Sequence, residues 1–184
     1  MKTRFVSLLT IFSFCAIVFS SCGGIKHKKE VALIDSLLTE VNKAKVKWDS
    51  IPSDTVEYYW SVFQTHLKLV EEDFIKPEKQ EDLNTLATFG MFKKPLRNYV
   101  QKQANVNKEF EYTISQLTKL KADLENESVD EGSIPEFIRN EKEASIAIIV
   151  SSESLGGEAV WGIENMKKMI PVVDQILAKQ STLK

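Results

Sequence analysis

Apolar residues recur at intervals of three and four along nearly the whole chain from residue 30 onward. The first such run contains Val31, Ile34, Leu38, Val41 and Trp48, and Leu37 and Ala44 widen the stripe. This spacing places one apolar stripe along an α-helix, whose period is 3.6 residues. Only 7 Gly and 5 Pro interrupt the 184 residues, too few for the many turns of a β-sandwich. The pattern therefore predicts an all-α protein.

Helix-breaking residues divide this pattern into four main helices and one short helix. The breaks lie at Pro52, Pro77, residues 90–95 and the acidic stretch 128–132. They predict long helices over about 30–50, 54–76, 96–126 and 134–179, with a short helix that ends at Gly90. Short connections between such helices favour an antiparallel bundle over residues 30–184. A long open coiled coil is the alternative, but aromatic residues outside strict heptad positions favour the bundle.

Two of these helices have predicted core stripes that the structure can test directly. In the helix over 96–126 the inward residues should be Leu96, Val100, Phe110, Ile114, Leu117 and Leu124. The polar residues Gln103 and Asn107 weaken the middle of that stripe. In the last helix we expect the inward residues to be Phe137, Ile138, Ile148, Leu155, Ala159, Met166, Ile170, Val173 and Leu177.

The first 21 residues have the pattern of a signal peptide. Lys2 and Arg4 precede a run without charge over 5–19, shorter than the ~20 residues that a membrane-spanning helix needs. An uncleaved transmembrane anchor is the alternative. Cys15 lies within this run and would be removed with it. Cys22 would then have no partner for an intrachain disulfide.

The residues around Cys22 match a known processing signal. Cys22 follows the sequence FSS and precedes two glycines. This segment resembles the lipobox of bacterial lipoproteins, in the form typical of Bacteroidota. The resemblance implies cleavage before Cys22, a diacylglyceryl group on its sulfur and acylation of the new amine. Ordinary secretory cleavage that leaves a free thiol is the alternative.

The resemblance divides the chain into a signal peptide over 1–21, a lipidated flexible tether over 22–29 and the bundle over 30–184. Lys26, His27, Lys28 and Lys29 make this tether basic, so it either faces anionic headgroups or is simply solvated. In Bacteroidota lipoproteins an acidic stretch after the cysteine is associated with display on the cell surface. The basic tether implies instead a cell-envelope protein anchored in the outer membrane and facing the periplasm.

Nothing in the sequence predicts an enzyme, a metal site or a cofactor. The nucleophile motif G-x-S-x-G is absent, and the acidic groups at 71–73 and 130–131 lack catalytic partners at recognisable spacing. His66 is the only histidine outside the tether, and no haem or di-iron motif accompanies it. The net charge of −2 gives no reason to expect nucleic acid as a partner.

The stretch SSESLGGEAVWG over 151–162 places small residues inside a helical pattern. Each glycine costs about 1 kcal/mol relative to alanine in a helix interior. The spacing does not match a phosphate-binding loop. We therefore expect a kink or a close helix crossing at Gly156 and Gly157.

Aromatic residues provide the candidate contact site, and the set is Trp48, Tyr58, Tyr59, Trp60, Phe63 and Trp161. Adjacent Tyr58 and Tyr59 cannot share one helix face, so one of them should be exposed. Two functions remain open. The first is a non-enzymatic protein-interaction or scaffold domain that binds an envelope protein. The second is a carrier of a small apolar ligand, with a pocket lined by Trp48, Trp60, Phe63 and Trp161.

Overall fold

The computed structural model describes residues 26–73 and 79–181. Cys22 and the predicted signal peptide lie outside the described residues. The helices are α1 (Lys28–Asp49), α2 (Ser53–Asp73), α3 (Gln80–Gly90), α4 (Lys93–Glu125) and α5 (Ile134–Ser181), and these two ranges contain no strand. The predicted all-α bundle of four main helices and one short helix is confirmed.

Both α1 and α2 run in the same direction as α5. Lys47 pairs with Glu153 at 3.0 Å and His66 pairs with Asp174 at 2.9 Å, across 106 and 108 residues of sequence. Because the sequence separation is nearly constant, α1 and α2 keep one register along α5. The break at Pro52 therefore interrupts the helix without reversing the chain.

The next two helices, α3 and α4, return in the opposite direction. Lys121 of α4 donates to Asp35 of α1 at 2.7 Å, and Gln103 donates to Glu57 of α2 at 2.7 Å. From Asp35 to Glu57 the residue number rises along α1 and α2, while the number of the residue contacted in α4 falls from 121 to 103. The two directions are therefore opposite. The chain makes three antiparallel passes: α1 with α2, then α3 with α4, then α5.

The last helix, α5, contacts each of the other four helices. Most of its buried positions alternate steps of three and four residues: Ser145, Ile148, Ser152, Leu155, Ala159, Gly162 and Met166, followed by Val173 and Ile176. Gly156 and Ile163 are buried beside this line. The alternating steps are the spacing of a coiled-coil seam. The closed bundle therefore packs with heptad spacing.

The predicted stripe of α4 is correct but incomplete. All six predicted residues are buried or, for Val100 and Ile114, half-buried against the core. Besides Pro95 in the first turn, the buried residues are Leu96, Tyr99, Val106, Phe110, Thr113, Leu117, Leu120 and Leu124. These buried positions also follow heptad spacing. Gln103 occupies one position of this stripe and donates to Glu57. This single polar residue interrupts the apolar pattern, so the buried Tyr99 and Val106 on either side of it were not predicted.

The inward orientation predicted for Phe137 is wrong, because its side chain is 44% exposed. Phe137 lies in the first turn of α5, where Ile134 is buried and Ile138 is half-buried against the core. Those two isoleucines are one turn apart and occupy the core-facing side. Phe137 lies beside them and is left in solvent.

Small residues let α5 approach its neighbours closely. A Cβ atom at Gly156 would overlap the Cδ1 of Ile51, and one at Gly162 would lie 3.4 Å from the Cδ2 of Leu96. The helix is continuous through this stretch. The side chain of Ile51, in the connection after α1, packs directly on Gly156. Gly157 differs, because a Cβ atom there would meet nothing within 4 Å.

We expect truncation of two phenylalanines to separate core from surface. Phe110 is fully buried, so Phe110→Ala should lower the free energy of unfolding by about 3–5 kcal/mol. Phe137→Ala should change it by less than about 0.5 kcal/mol. Urea titrations followed by circular dichroism measure both values, and equal losses would contradict the assignment of Phe137 to the surface.

Candidate functional site

A groove of about 310 Å³ lies between the end of α1 and the middle of α5. One side is formed by Ala44, Lys47, Trp48, Ser50 and Ile51, and the other by Ser152, Glu153, Gly156, Gly157 and Val160. The α5 side consists largely of small residues, which leave the space open. We call this space the α1–α5 groove.

The indole of Trp48 forms the fixed wall of the α1–α5 groove. Its side chain is 4% exposed, and its Nε1–H donates to the Oδ1 of Asn107 at 2.7 Å. Its ring centroid lies 5.0 Å from that of Tyr99. Burial raises the pKa of Tyr99, and the nearby carboxylates Glu57 and Asp49 raise it further. The phenol next to Trp48 therefore stays uncharged at neutral pH.

A charged pair forms the rim of the groove. The Nζ of Lys47 lies 3.0 Å from the Oε1 of Glu153, and the two side chains are 70% and 49% exposed. Such a solvent-screened pair contributes about 1 kcal/mol or less. The rim can therefore open at little cost, and the apolar interior suits a small apolar molecule.

A ladder of aromatic rings connects α2, α3 and α5. Trp60 stacks on Phe63 at 5.7 Å, and Phe63 stacks on Phe89 at 5.0 Å. Phe92 then makes edge contacts with Phe89 at 6.1 Å and with Trp161 at 5.5 Å. The ladder thus joins three of the predicted contact residues through two residues that the sequence reasoning missed. Phe89 and Phe92 lie on either side of the predicted helix break at Gly90. This position was the available sequence signal for them.

Two adjacent tyrosines lie side by side on α2, one exposed and the other half-buried against the core. Tyr58 is 62% exposed and lies edge-on to Tyr59, with 5.2 Å between ring centroids. The Nζ of Lys167 on α5 lies 5.8 Å from the centroid of Tyr59. As expected for adjacent residues, one of the two tyrosines is exposed. We call Tyr58, Tyr59 and Lys167 the tyrosine patch.

Both ring nitrogens of His66 lie next to oxygen atoms of the bundle. Nδ1 is 2.8 Å from the carbonyl oxygen of Val62, and Nε2 is 2.9 Å from the Oδ1 of Asp174. The ring also lies 5.9 Å from that of Phe89. Within the described part of the chain, no group of three His, Cys, Asp or Glu side chains is arranged to hold a metal ion.

The structure separates the predicted contact residues into different surroundings. Trp48 lines the α1–α5 groove, whereas Trp60, Phe63 and Trp161 belong to the aromatic ladder and do not line that groove. Phe63 is fully buried, while Trp161 is 45% exposed. The groove residues that the sequence reasoning did not name include Ile51, Ser152 and Val160. The run of small residues over 151–157 was the available signal for this groove.

The amino-terminal end of the bundle is basic and lies against the connection between α4 and α5. Lys26 pairs with Glu131, and this pair raises the pKa of Lys26 and lowers that of Glu131.

Among the described residues, Ile134–Lys179 is the one segment long and apolar enough to cross a membrane by length and composition alone, and 39% of its apolar window is buried in the bundle.

No family model, curated protein or solved structure matches this chain. The function is therefore inferred from the residues and surfaces described above.

Proposed function

We propose that the protein is a lipid-anchored lipoprotein of the cell envelope, held in the outer membrane and facing the periplasm. Its helical bundle then serves as a non-enzymatic protein-interaction or scaffold module. The residues around Cys22 support the anchor. The tyrosine patch is the observation that carries the interaction role.

The amino-terminal end of α1 is suitably placed for a short anchor. The roughly six residues between Cys22 and Lys28 span at most about 20 Å, so this end of the bundle stays near the lipid. Two or three acyl chains hold a protein firmly on a membrane. Basic residues near anionic headgroups add about 1 kcal/mol each. Lys26 contributes less than its neighbours because it already pairs with Glu131.

The tyrosine patch has the properties of a protein-contact site. A tyrosine offers a large apolar ring, a hydroxyl group and few rotatable bonds, and such residues are enriched at the energetic centres of interfaces. Tyr58 is exposed, and its ring is supported by the edge contact with Tyr59. Binding a partner therefore costs little side-chain entropy. Lys167 adds a positive charge beside the rings.

The α1–α5 groove favours a second candidate function, the binding of a small apolar ligand. Its volume of about 310 Å³ lies at the lower end of the range for ligand pockets. Trp48 offers a fixed aromatic wall, and the Lys47–Glu153 pair can open at the rim. This function is compatible with the same lipid anchor.

We expect Cys22→Ala to release the protein from the membrane, because its sulfur carries the diacylglyceryl group. Membrane fractionation and intact mass measurement test this. The matched control is Cys15→Ala, which changes a residue of the predicted signal peptide and should leave both membrane retention and mature mass unchanged. A Cys22→Ala protein that stays membrane-bound at unchanged mature mass would refute the anchor.

A photo-crosslinking amino acid at position 58 should capture a discrete envelope protein in intact cells. Tyr112, which is 66% exposed on α4, provides a matched control position that should capture none. Tyr59→Ala should lower the yield from position 58, because the supporting ring is lost. Equal capture from positions 58 and 112, or no capture at 58, would argue against the tyrosine patch as a contact site.

A larger side chain in the groove should displace a bound small molecule. Val160 lines the groove, so Val160→Trp should lower ligand occupancy at least about tenfold by filling the space. Val172→Trp is the control, since Val172 is similarly exposed on α5, at 42% against 38%, and does not line the groove. Native mass spectrometry of the purified protein measures occupancy. Absence of any bound small molecule in the wild type would end the carrier candidate.

A further inference from the structure

One face of α5 is exposed along its length, with apolar and small residues in its middle and charged residues towards its ends. Alternating steps of four and three residues define it, and all eight positions are exposed: Glu143, Ala147, Val150, Ser154, Gly157, Trp161, Glu164 and Lys168. In the antiparallel arrangement described below, Glu164 lies opposite the small Ala147 of the second copy. We call this face the outer seam. Such spacing is typical of the contact line between two paired helices.

The middle of the outer seam is shaped for close approach. Packing within the bundle accounts for Gly156 and Gly162, but a Cβ atom at Gly157 would meet nothing within 4 Å. Glycine in a helix interior is disfavoured relative to alanine, and no packing contact within the bundle requires one at Gly157, which also lines the open α1–α5 groove. On either side of it, Val150 is 60% and Trp161 is 45% exposed. A small residue between two exposed apolar ones leaves room for another helix.

Charge at the two ends of the outer seam identifies the helix that fits it. Glu143 lies near one end and Lys168 near the other. An antiparallel second copy centred between Ser154 and Gly157 brings Glu143 opposite the partner's Lys168. The same arrangement brings Val150 opposite the partner's Trp161. A parallel copy would instead place like charges together, which is unfavourable.

We propose that α5 pairs in antiparallel fashion with α5 of a second copy of this chain through the outer seam. This inference deepens the proposed interaction role by naming a partner, and it rests on that role. The seam is about 38 Å long at 1.5 Å per residue. A single helix pair buries less surface than the ~1,200 Å² of most stable interfaces, so the dimer is weak in dilute solution.

A membrane anchor compensates for this weakness, because tethering raises the effective concentration of the two copies. The antiparallel geometry sets one condition. Both amino-terminal ends reach the same membrane only when the two-fold axis is normal to it and both bundles lie along its surface.

Sedimentation of the full chain in detergent over a range of concentrations tests the pairing. The wild type should show a monomer–dimer equilibrium. Gly157→Leu should abolish the dimer, because the new side chain occupies the two-fold axis, while thermal unfolding of the protomer stays the same or moves to higher temperature. Gly90→Leu is the matched control, since a Cβ atom there also meets nothing within 4 Å, and it should leave dimerisation unchanged.

A charge exchange tests the antiparallel orientation. Glu143→Lys and Lys168→Glu should each weaken dimerisation about tenfold, because each replaces two attractions with two repulsions. The double variant should restore wild-type affinity. Failure of the double variant to restore it overturns the antiparallel pairing. A wild type that remains monomeric overturns self-association, and that result leaves the Cys22 and position 58 experiments free to support or refute the proposed function.

Discussion

Packing against α5 is the interaction on which the rest of the structure depends. Each of the other helices contacts α5, and α3 has its main contacts with α5 alone. Burial of each large apolar side chain along this line contributes about 1.5–3 kcal/mol. Ser145 and Ser152 occupy the same buried stripe, and each donates its hydroxyl to a carbonyl oxygen of its own helix, at 2.7 and 3.0 Å. The two buried hydroxyl groups therefore keep hydrogen-bond partners even though the helices pack around them.

The periodicity and the breaks predicted the class of fold and the number of helices, because both depend on local chemistry. They did not predict the path of the chain. A proline break such as Pro52 fixes where a helix stops, but the direction taken by α2 depends on contacts such as His66 with Asp174, more than 100 residues apart. Gln103 interrupts the apolar pattern of α4, so the buried Tyr99 and Val106 beside it were not predicted. Phe137 was assigned to the core because periodicity gives an angle around the helix and does not indicate whether a neighbour covers it.

The candidate surfaces were also predictable to different degrees, because some depend on local helix geometry and others on the path of the chain. Adjacent Tyr58 and Tyr59 had to face different ways, which follows from helix geometry alone. The separation of Trp48 from Trp60 and Trp161 required the three-pass topology.

In that topology α5 takes part in every surface described: it forms half of the α1–α5 groove, supplies Lys167 to the tyrosine patch and carries the outer seam. A helix with apolar residues on both its inner and outer faces has the composition of a membrane span, yet its inner face packs in the bundle.

The position of α5 in the chain also determines when the bundle can form. The helix that all others pack against is synthesised after them, and its contacts with α1 span more than 100 residues. Earlier helices can form transiently during synthesis, but their apolar stripes have no complete partner until α5 emerges. Such non-local contacts slow folding relative to helical proteins with local contacts. The bundle can therefore complete its folding only after nearly the whole chain has been made, later than its helical content alone suggests.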